Sequence, residues 1–391
     1  MSNNLKPYLL VILLIGFLHV IGNASCNETR KLTELPYSKD LQEAINQVLL
    51  TYPDFDLGIS VAIIVPGFET WTGVSGYSHQ NVPITEDMLF DIGSIEKNFE
   101  AALVLRLAGE DILSLNDPIS KYLPSYHHVD ESITIRQLLN HTSGVFNVFE
   151  HPDFPWVGPN VDYSKTWAAD EVFMHFVLDP YGPPGYAQHY SSTNYLLLTK
   201  ILEEVTETPV SDEISRVFLE PMNLDITFIT MGEQPSAKYT VAHPWVDIDL
   251  DGQLDDLYGI PLTWKATITH PVMFSTAQDL ASWINALYHE ESVLSTNLLA
   301  EMLTYPETTL DDLDGGKYGL GVVDYTEILG MPAIGHGGSS PGYSAAALYL
   351  PEYGISLVWL INTGESPHEL AGQIMGHLWS SISDVIVTNQ R

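Results

Sequence analysis

Residues 90–97 read FDIGSIEK, and the apolar residues that follow, at 99, 102, 103 and 107, recur with helical spacing. This periodicity predicts a helix over 94–108. Ser94 and Lys97 stand three positions apart, so their side chains share one face of that helix. A serine hydroxyl must lose its proton before it attacks a carbonyl group, and a lysine that burial or neighbouring positive charge holds neutral can take that proton. The pattern indicates an activated serine, although most S-x-x-K sequences are solvated helix faces.

Two later segments carry further polar groups. Residues 184–195 read PGYAQHYSSTNY, and residues 335–343 read GHGGSSPGY. Tyr190 in the first segment is a second candidate proton carrier, but a phenol titrates near about pH 10 in water and needs cationic neighbours to act as a base. His336 in the second offers a polar or cationic contact, on a stretch whose glycines let a substrate lie against bare backbone.

The remaining pattern predicts strands towards both ends of the chain and helices between them. The predicted strand regions are 58–65, 69–77, 318–325 and a hairpin over 344–362. The predicted helices are 39–50, 135–139, 168–178, 195–205, 277–288 and 367–382. We therefore expect an α/β (α+β) fold in which one sheet is built from both termini and flanked by helices, with a mostly helical region inserted.

With three further stretches, these segments resemble the serine β-lactamase and penicillin-binding-protein superfamily. The further stretches are ITIRQLLNHTSG at 133–144, FSTAQDL at 274–280 and YGLG at 318–321. The resemblance runs from about residue 57 to about residue 379 and is closest to class C β-lactamases, D-alanyl-D-alanine carboxypeptidases and family VIII esterases. It implies a β-lactamase/transpeptidase-like fold with an antiparallel sheet.

The resemblance also implies roles for individual residues. Ser94 corresponds to the nucleophile and Lys97 to its general base. Tyr190 looks like the tyrosine that carries a proton to the leaving group and helps to activate the deacylating water. His336 would keep Lys97 and Tyr190 in the required protonation states and contact the substrate. The backbone N–H groups of Ser94 and Ser339 would form the oxyanion hole.

The substrate-binding positions follow the pattern with one departure. Gly337 and Gly338 complete a segment similar to the Lys/His-x-Gly strand of the superfamily. Two residues after the tyrosine, where relatives carry an asparagine that bonds the lysine and a substrate amide, this chain has Ser192. Serine has a shorter reach, so the departure affects amide recognition more than the chemistry of Ser94. Asn194 matches the second asparagine of the motif and is not an obvious replacement.

Composition and the first residues bear on location and partners. The chain has 15 Lys and Arg against 50 Asp and Glu, a formal net charge of -35. Such a charge repels nucleic acids and anionic membranes, so neither is an expected partner.

Residues 1–25 have the positive start, short apolar run and small residues of a signal peptide, which leaves 26–391 as the hydrolase domain. The chain is expected to be exported, periplasmic or extracellular, with Cys26 as a lipidated first residue or simply secreted.

Two rival motifs are weaker. The stretch GSSPG at 338–342 matches the nucleophile elbow of α/β-hydrolases, but a helix should follow Ser340 and the sequence predicts a strand hairpin. Residues 247–252 begin like a calcium loop, yet Tyr258 stands where the bidentate glutamate belongs, and an Asp-Gly turn explains the segment better. No zinc-binding spacing is present, and no metal or cofactor is expected.

The sequence thus predicts a serine acyl-hydrolase that acts through an acyl-Ser94 intermediate on an amide or ester carbonyl of a small molecule or peptide. A D-peptidase or D-Ala-D-Ala carboxypeptidase is the leading interpretation. A family VIII-type carboxylesterase, a class C-like β-lactamase and a non-catalytic penicillin-recognising sensor or scaffold remain the alternatives.

Overall fold

The chain forms thirteen strands and ten α-helices over the residues that the structure describes. A computed structural model describes residues 33–35, 38–50, 57–155, 158, 160–230, 232, 235–236, 238–249, 251–261, 271–307 and 316–364. The strands are β1 (Gly58–Ile64), β2 (Trp71–His79), β3 (Val82–Pro83), β4 (Phe90–Asp91), β5 (Phe228–Thr230), β6 (Trp245–Val246), β7 (Asp255–Asp256), β8 (Val272–Ser275), β9 (Lys317–Tyr318), β10 (Val323–Asp324), β11 (Ile334–Ser340), β12 (Tyr343–Leu350) and β13 (Ile355–Ile361). The helices are α1 (Ser38–Leu50), α2 (Glu96–Gly109), α3 (Ile135–Leu139), α4 (Ala169–Phe176), α5 (Ser192–Thr206), α6 (Val210–Ile214), α7 (Glu220–Met222), α8 (Ala277–Ile284), α9 (Thr296–Met302) and α10 (Thr326–Leu329).

The main sheet joins strands from both ends of the described chain. Its order is β3-β2-β1-β13-β12-β11-β10-β9, and its strand pairs are antiparallel. Side chains alternate between the two faces of β1, so Ile59, Val61 and Ile63 join the core beneath α1 while Ala62 joins the core on the other face. Both faces are covered, which explains why β12 and β13 are buried along their whole length.

This architecture confirms the expected α/β class with a sheet built from both termini. The inserted region is mostly helical, but it also contains an unexpected three-stranded sheet of order β4-β8-β5. The strand-like stretch over 318–325 is two short strands, because the chain reverses at Gly321, whose φ of 72° suits glycine. The helix expected from residue 94 begins at Glu96, and Ser94 lies in a single 3-10 turn before it.

Some predictions fall outside the described residues. They are the signal peptide over 1–25, the lipidation site at Cys26 and the helix over 367–382. Within the described part of the chain, no helix combines the length and the apolar character that a membrane span requires.

Candidate active site

Ser94 is half-buried in the turn Gly93–Ile95, which connects β4 to α2. Gly93 has a φ of 50°, and a Cβ at this position would lie 2.7 Å from the backbone nitrogen of Ser339. On the facing strand, a Cβ on Gly338 would lie 1.9 Å from the carbonyl oxygen of Ile92. The two glycines therefore allow the Ser94 turn and β11 to touch backbone to backbone. At Gly338 the bare backbone makes room for this chain's own turn.

Lys97 lies within hydrogen-bond distance of Ser94. Its Nζ donates to Ser94 Oγ at 3.2 Å and to Glu96 Oε1 at 3.0 Å. Only 4% of Lys97 and 7% of Glu96 are exposed, so the pair is buried. Burial acts to lower the pKa of Lys97, but the carboxylate of Glu96 and then Tyr190 outweigh it and raise the pKa. Lys97 is therefore an ammonium group in this arrangement, whereas the sequence argument required a neutral lysine.

Tyr190 lies beside the ammonium group of Lys97. The Nζ atom of Lys97 is 5.9 Å from the centre of the Tyr190 ring. His141 packs against the same ring at 4.3 Å, and the imidazole is fixed from its other side because Nδ1 accepts from the backbone N–H of Ser191 at 3.2 Å and from Asn194 Nδ2 at 3.0 Å. The HTSG stretch thus positions the segment that carries Tyr190.

His336 is buried in β11 and is neutral. Its Nδ1 faces the carbonyl oxygen of Gly337 at 2.5 Å and must donate, so Nε2 accepts from the hydroxyl of Tyr318 at 2.8 Å. Burial, reinforced by Lys97, lowers the pKa of His336 to about 3. Both ring nitrogens of His336 are thus engaged within the protein, and its lowered pKa disfavours the cationic contact considered from the sequence.

A pocket opens beside Ser94, and we call it the Ser94 pocket. Its lining residues are Asp91, Gly93, Ser94, Glu96, Lys97, Phe149, Pro271, Val272, Ser339 and Ser340. Of the predicted site residues, the structure brings Ser94, Lys97 and Ser339 together in this lining. Tyr190 and His336 lie around Lys97 without lining the pocket. Gly337 and Gly338 on β11 are also not part of the lining. The assigned roles of all these residues remain predictions.

Ser192, at the position where relatives carry an asparagine, lies in the first turn of α5. Ser192 is 5% exposed, and its backbone N–H donates to Asn147 Oδ1 at 3.2 Å. Asn194 is fully buried and accepts from Ser143 Oγ at 2.6 Å. Asn194 is thus committed to the fold, in agreement with the view that it does not replace the missing amide.

Sequence reasoning missed three residues around the site. Glu96 lies inside the S-x-x-K motif, but no rule about the intervening positions drew attention to it. Tyr318 and His141 belong to stretches that were recognised without being given a role. The contacts of Tyr318 with His336 and of His141 with Tyr190 join segments far apart in the chain, so only the fold reveals them.

Both rival motifs have structural explanations. Ser340 ends β11 and is followed by a tight turn into β12, which confirms the strand hairpin and not an elbow. Carboxylate oxygens of Asp247 and Asp249, in the loop between β6 and β7, and of Asp255, the first residue of β7, lie within 4.8 Å of one another. Asp247 accepts from the backbone N–H groups of Asp251 and Gly252 in the same loop, at 3.0 and 2.8 Å. The carboxylate of Asp247 therefore acts as an acceptor within a hairpin loop, as the Asp-Gly interpretation predicts.

Comparison with known proteins agrees with this geometry. The family described as Beta-lactamase matches residues 55–376. Penicillin-binding protein 4* of Bacillus subtilis is 25% identical over 303 residues, which cover 72% of this chain and 62% of that protein, so the chain spans about three fifths of this relative. A D-stereospecific amidohydrolase from Streptomyces sp. has a similar structure, with a TM-score of 0.75 and 26% identity over 88% of this chain and 98% of that one. The D-amino acid amidase of Ochrobactrum anthropi SV3, complexed with L-phenylalanine amide, gives a TM-score of 0.72 and 26% identity over 88% and 99%.

Proposed function

The chain belongs to the beta-lactamase family, and from that premise we propose that it is a serine hydrolase that cleaves amide bonds of D-amino-acid derivatives through an acyl-Ser94 intermediate. The observation that carries the proposal is the 3.2 Å contact between Ser94 Oγ and Lys97 Nζ, in a pocket that Ser339 also lines. D-amino-acid amides and short D-peptides, D-Ala-D-Ala peptides included, form the proposed substrate class. Support comes from the amidohydrolase and the amidase, which resemble the chain over 88% of its length.

The proposed reaction has two steps. Ser94 Oγ attacks the carbonyl carbon, and the oxygen that becomes negative accepts hydrogen bonds from the backbone N–H groups of Ser94 and Ser339. Lys97 accepts the proton of Ser94, and Tyr190 donates a proton to the leaving amine. A water molecule then attacks the acyl-enzyme and restores Ser94.

The pocket lining supports an apolar acyl donor. Phe149, Pro271 and Val272 present apolar surface next to Ser94. A phenylalanyl or other apolar side chain would bury against this wall and hold the carbonyl carbon near Ser94. We therefore propose D-phenylalanine amide as a first substrate.

An esterase is the second candidate, and Ser192 is the observation that favours it. An ester offers no amide N–H to recognise, so the absence of the asparagine side chain weakens substrate recognition less in an esterase than in an amidase. A class C-like β-lactamase would instead hydrolyse a β-lactam such as nitrocefin. A non-catalytic penicillin-binding sensor would bind a penicillin and turn over no substrate.

One panel of assays distinguishes these functions. The kcat/KM of the wild-type protein is compared for D- and L-phenylalanine amide, p-nitrophenyl esters, nitrocefin and a D-Ala-D-Ala peptide, with Ser94→Ala as the control. The proposal predicts the highest value for a D-amide or D-peptide and none above background for the control. A higher value for esters than for amides favours the esterase, and labelling by a penicillin without turnover of any compound favours the sensor.

We also propose an exported protein, since the first residues have the pattern of a signal peptide. Loss of residues 1–25 from the mature protein, seen by intact mass, tests export. An added diacylglycerol mass at Cys26 would indicate the lipid anchor, and an unmodified Cys26 would indicate simple secretion.

A further inference from the structure

Glu96 is a charged residue of the Ser94 pocket to which neither the sequence nor the comparisons assign a role. Its carboxylate is 3.0 Å from Lys97 Nζ, which is in turn 3.2 Å from Ser94 Oγ. Hydroxyl, ammonium and carboxylate thus form a continuous chain of hydrogen bonds. Because Glu96 is 7% exposed and Lys97 is 4% exposed, little water screens them from each other.

An ammonium group cannot accept the proton of Ser94, because its nitrogen has no free electron pair. The lysine must first lose a proton, and the nearest acceptor in the described structure is the carboxylate of Glu96. Burial disfavours an ion pair more than a neutral acid–amine pair, so transfer within the pair costs less here than it would in water. Glu96 is therefore suited both to hold Lys97 in place and to take a proton from it.

Within the described residues, the side-chain hydrogen bonds of Lys97 Nζ go to Ser94 and Glu96 and not to the other groups that face it. They are Tyr190 and Tyr195, whose rings lie 5.9 and 5.4 Å from Nζ, the imidazoles of His141 and His336, and the carboxyl group of Glu100. Glu100 is fully buried, and burial followed by the charge of Glu96 raises its pKa well above the ordinary value. Glu100 accepts a hydrogen bond from Thr199 Oγ1 at 3.2 Å, and its burial disfavours the charged form.

We propose that Glu96 completes a Ser94–Lys97–Glu96 proton relay. The O–H bond of Ser94 breaks as an N–H bond forms on Lys97, while another N–H bond of Lys97 breaks and an O–H bond forms on Glu96. The electron pair of Ser94 Oγ forms the bond to the carbonyl carbon, and the carbonyl π electrons move to the oxygen. The C=O π bond then re-forms as the C–N bond breaks; the leaving amine takes a proton from Tyr190, Tyr190 takes one from Lys97, and Glu96 returns its proton to Lys97. Glu96 acts through Lys97 and is thus a positioning and proton-holding residue.

Glu96→Gln tests the relay because it keeps the shape of the side chain and removes the proton acceptor. The measurement is kcat/KM across about pH 6–9 with whichever substrate the wild-type protein turns over. We expect a loss of about 10²–10⁴-fold at neutral pH. The variant should then gain about tenfold per pH unit, because Lys97 must now be deprotonated in advance, whereas the wild-type profile stays flat over the same range.

A matched control and a second substitution complete the design. Glu100→Gln removes a carboxyl group one helical turn further along α2 and should keep the flat profile. Glu96→Asp keeps a carboxylate on a shorter side chain and should lower the rate while the profile stays flat. If Glu96→Gln does not fold, as judged by its thermal transition, the profile of Glu96→Asp decides, and a rising profile in that variant contradicts the relay.

Three results overturn the inference. They are a Glu96→Gln variant as fast as the wild type at neutral pH, a flat profile in that slower variant, and a rising profile in Glu100→Gln. The relay rests on the proposed acyl transfer at Ser94. A wild-type protein that turns over no compound refutes that function, whereas an active wild type with an equally active Glu96→Gln refutes only the relay.

Discussion

Gly338→Ala is the substitution whose effect follows most directly from the geometry of the site. The new Cβ would lie 1.9 Å from the carbonyl oxygen of Ile92. A carbon–oxygen contact in folded proteins begins at about 3.3 Å, so β11 and the Ser94 turn must separate by roughly 1.4 Å. The oxygen belongs to the backbone and cannot rotate away. The separation moves Ser339, which follows Gly338 on β11, away from Ser94.

The expected cost is large for activity and moderate for stability. A displacement of about 1 Å at a reacting group can cost about 10²-fold in rate, so kcat/KM should fall by at least that factor. Overpacking of this kind costs about 1–3 kcal/mol of unfolding free energy, so the variant should still fold.

The assay is the rate of labelling by a fluorophosphonate probe, read together with kcat/KM and urea unfolding. Gly259→Ala is the control, because among the described residues no atom beyond its chain neighbours lies within 4 Å of a Cβ built on Gly259. Its labelling rate and stability should match those of the wild type. A Gly338→Ala variant that is labelled within about twofold of the wild-type rate would show that the contact between β11 and the Ser94 turn does not set the geometry of the site.

Three other substitutions test separate parts of the site. Tyr318→Phe should lower the unfolding free energy in urea by about 1–3 kcal/mol, because His336 Nε2 loses the donor that lies 2.8 Å away. His336 has a pKa lowered from 6.5 to about 3, so the unfolded chain binds a proton that the folded chain excludes, and stability should fall as the pH drops from 6.5 towards 3. His336→Gln should therefore make the Tm fall less steeply between about pH 7 and 4 than it does in the wild type. Ser192→Asn should raise the ratio of amide to ester kcat/KM by about tenfold, the value of one added hydrogen bond, and an unchanged ratio would remove this position from substrate recognition.

The sheet could be predicted from the sequence because its strands carry strong local signals. The hairpin of β12 and β13 has two continuous apolar runs around a Pro-Glu-Tyr-Gly turn, and α2 has regular apolar spacing. The strands β4, β5 and β8 could not be predicted in this way. They have only two to four residues each, and their pairing joins segments that lie far apart in the chain.

The same distinction between local sequence signals and long-range contacts applies to the site. Ser94 and Lys97 are three positions apart, so helical geometry alone brings them together, and the structure agrees. The charge of Lys97 was beyond the sequence argument, because it depends on a balance between burial and the carboxylate of Glu96. The neutral state of His336 likewise depends on its depth in the sheet and on Tyr318, eighteen residues earlier in the chain.

The most direct test of the account is to locate the covalent adduct formed by a fluorophosphonate probe, using intact mass and peptide mapping. The account predicts one adduct per chain, carried by the peptide that contains Ser94, and no adduct on Ser94→Ala. An adduct on Ser340, or an adduct that persists in Ser94→Ala, would contradict the assignment of Ser94 as the nucleophile.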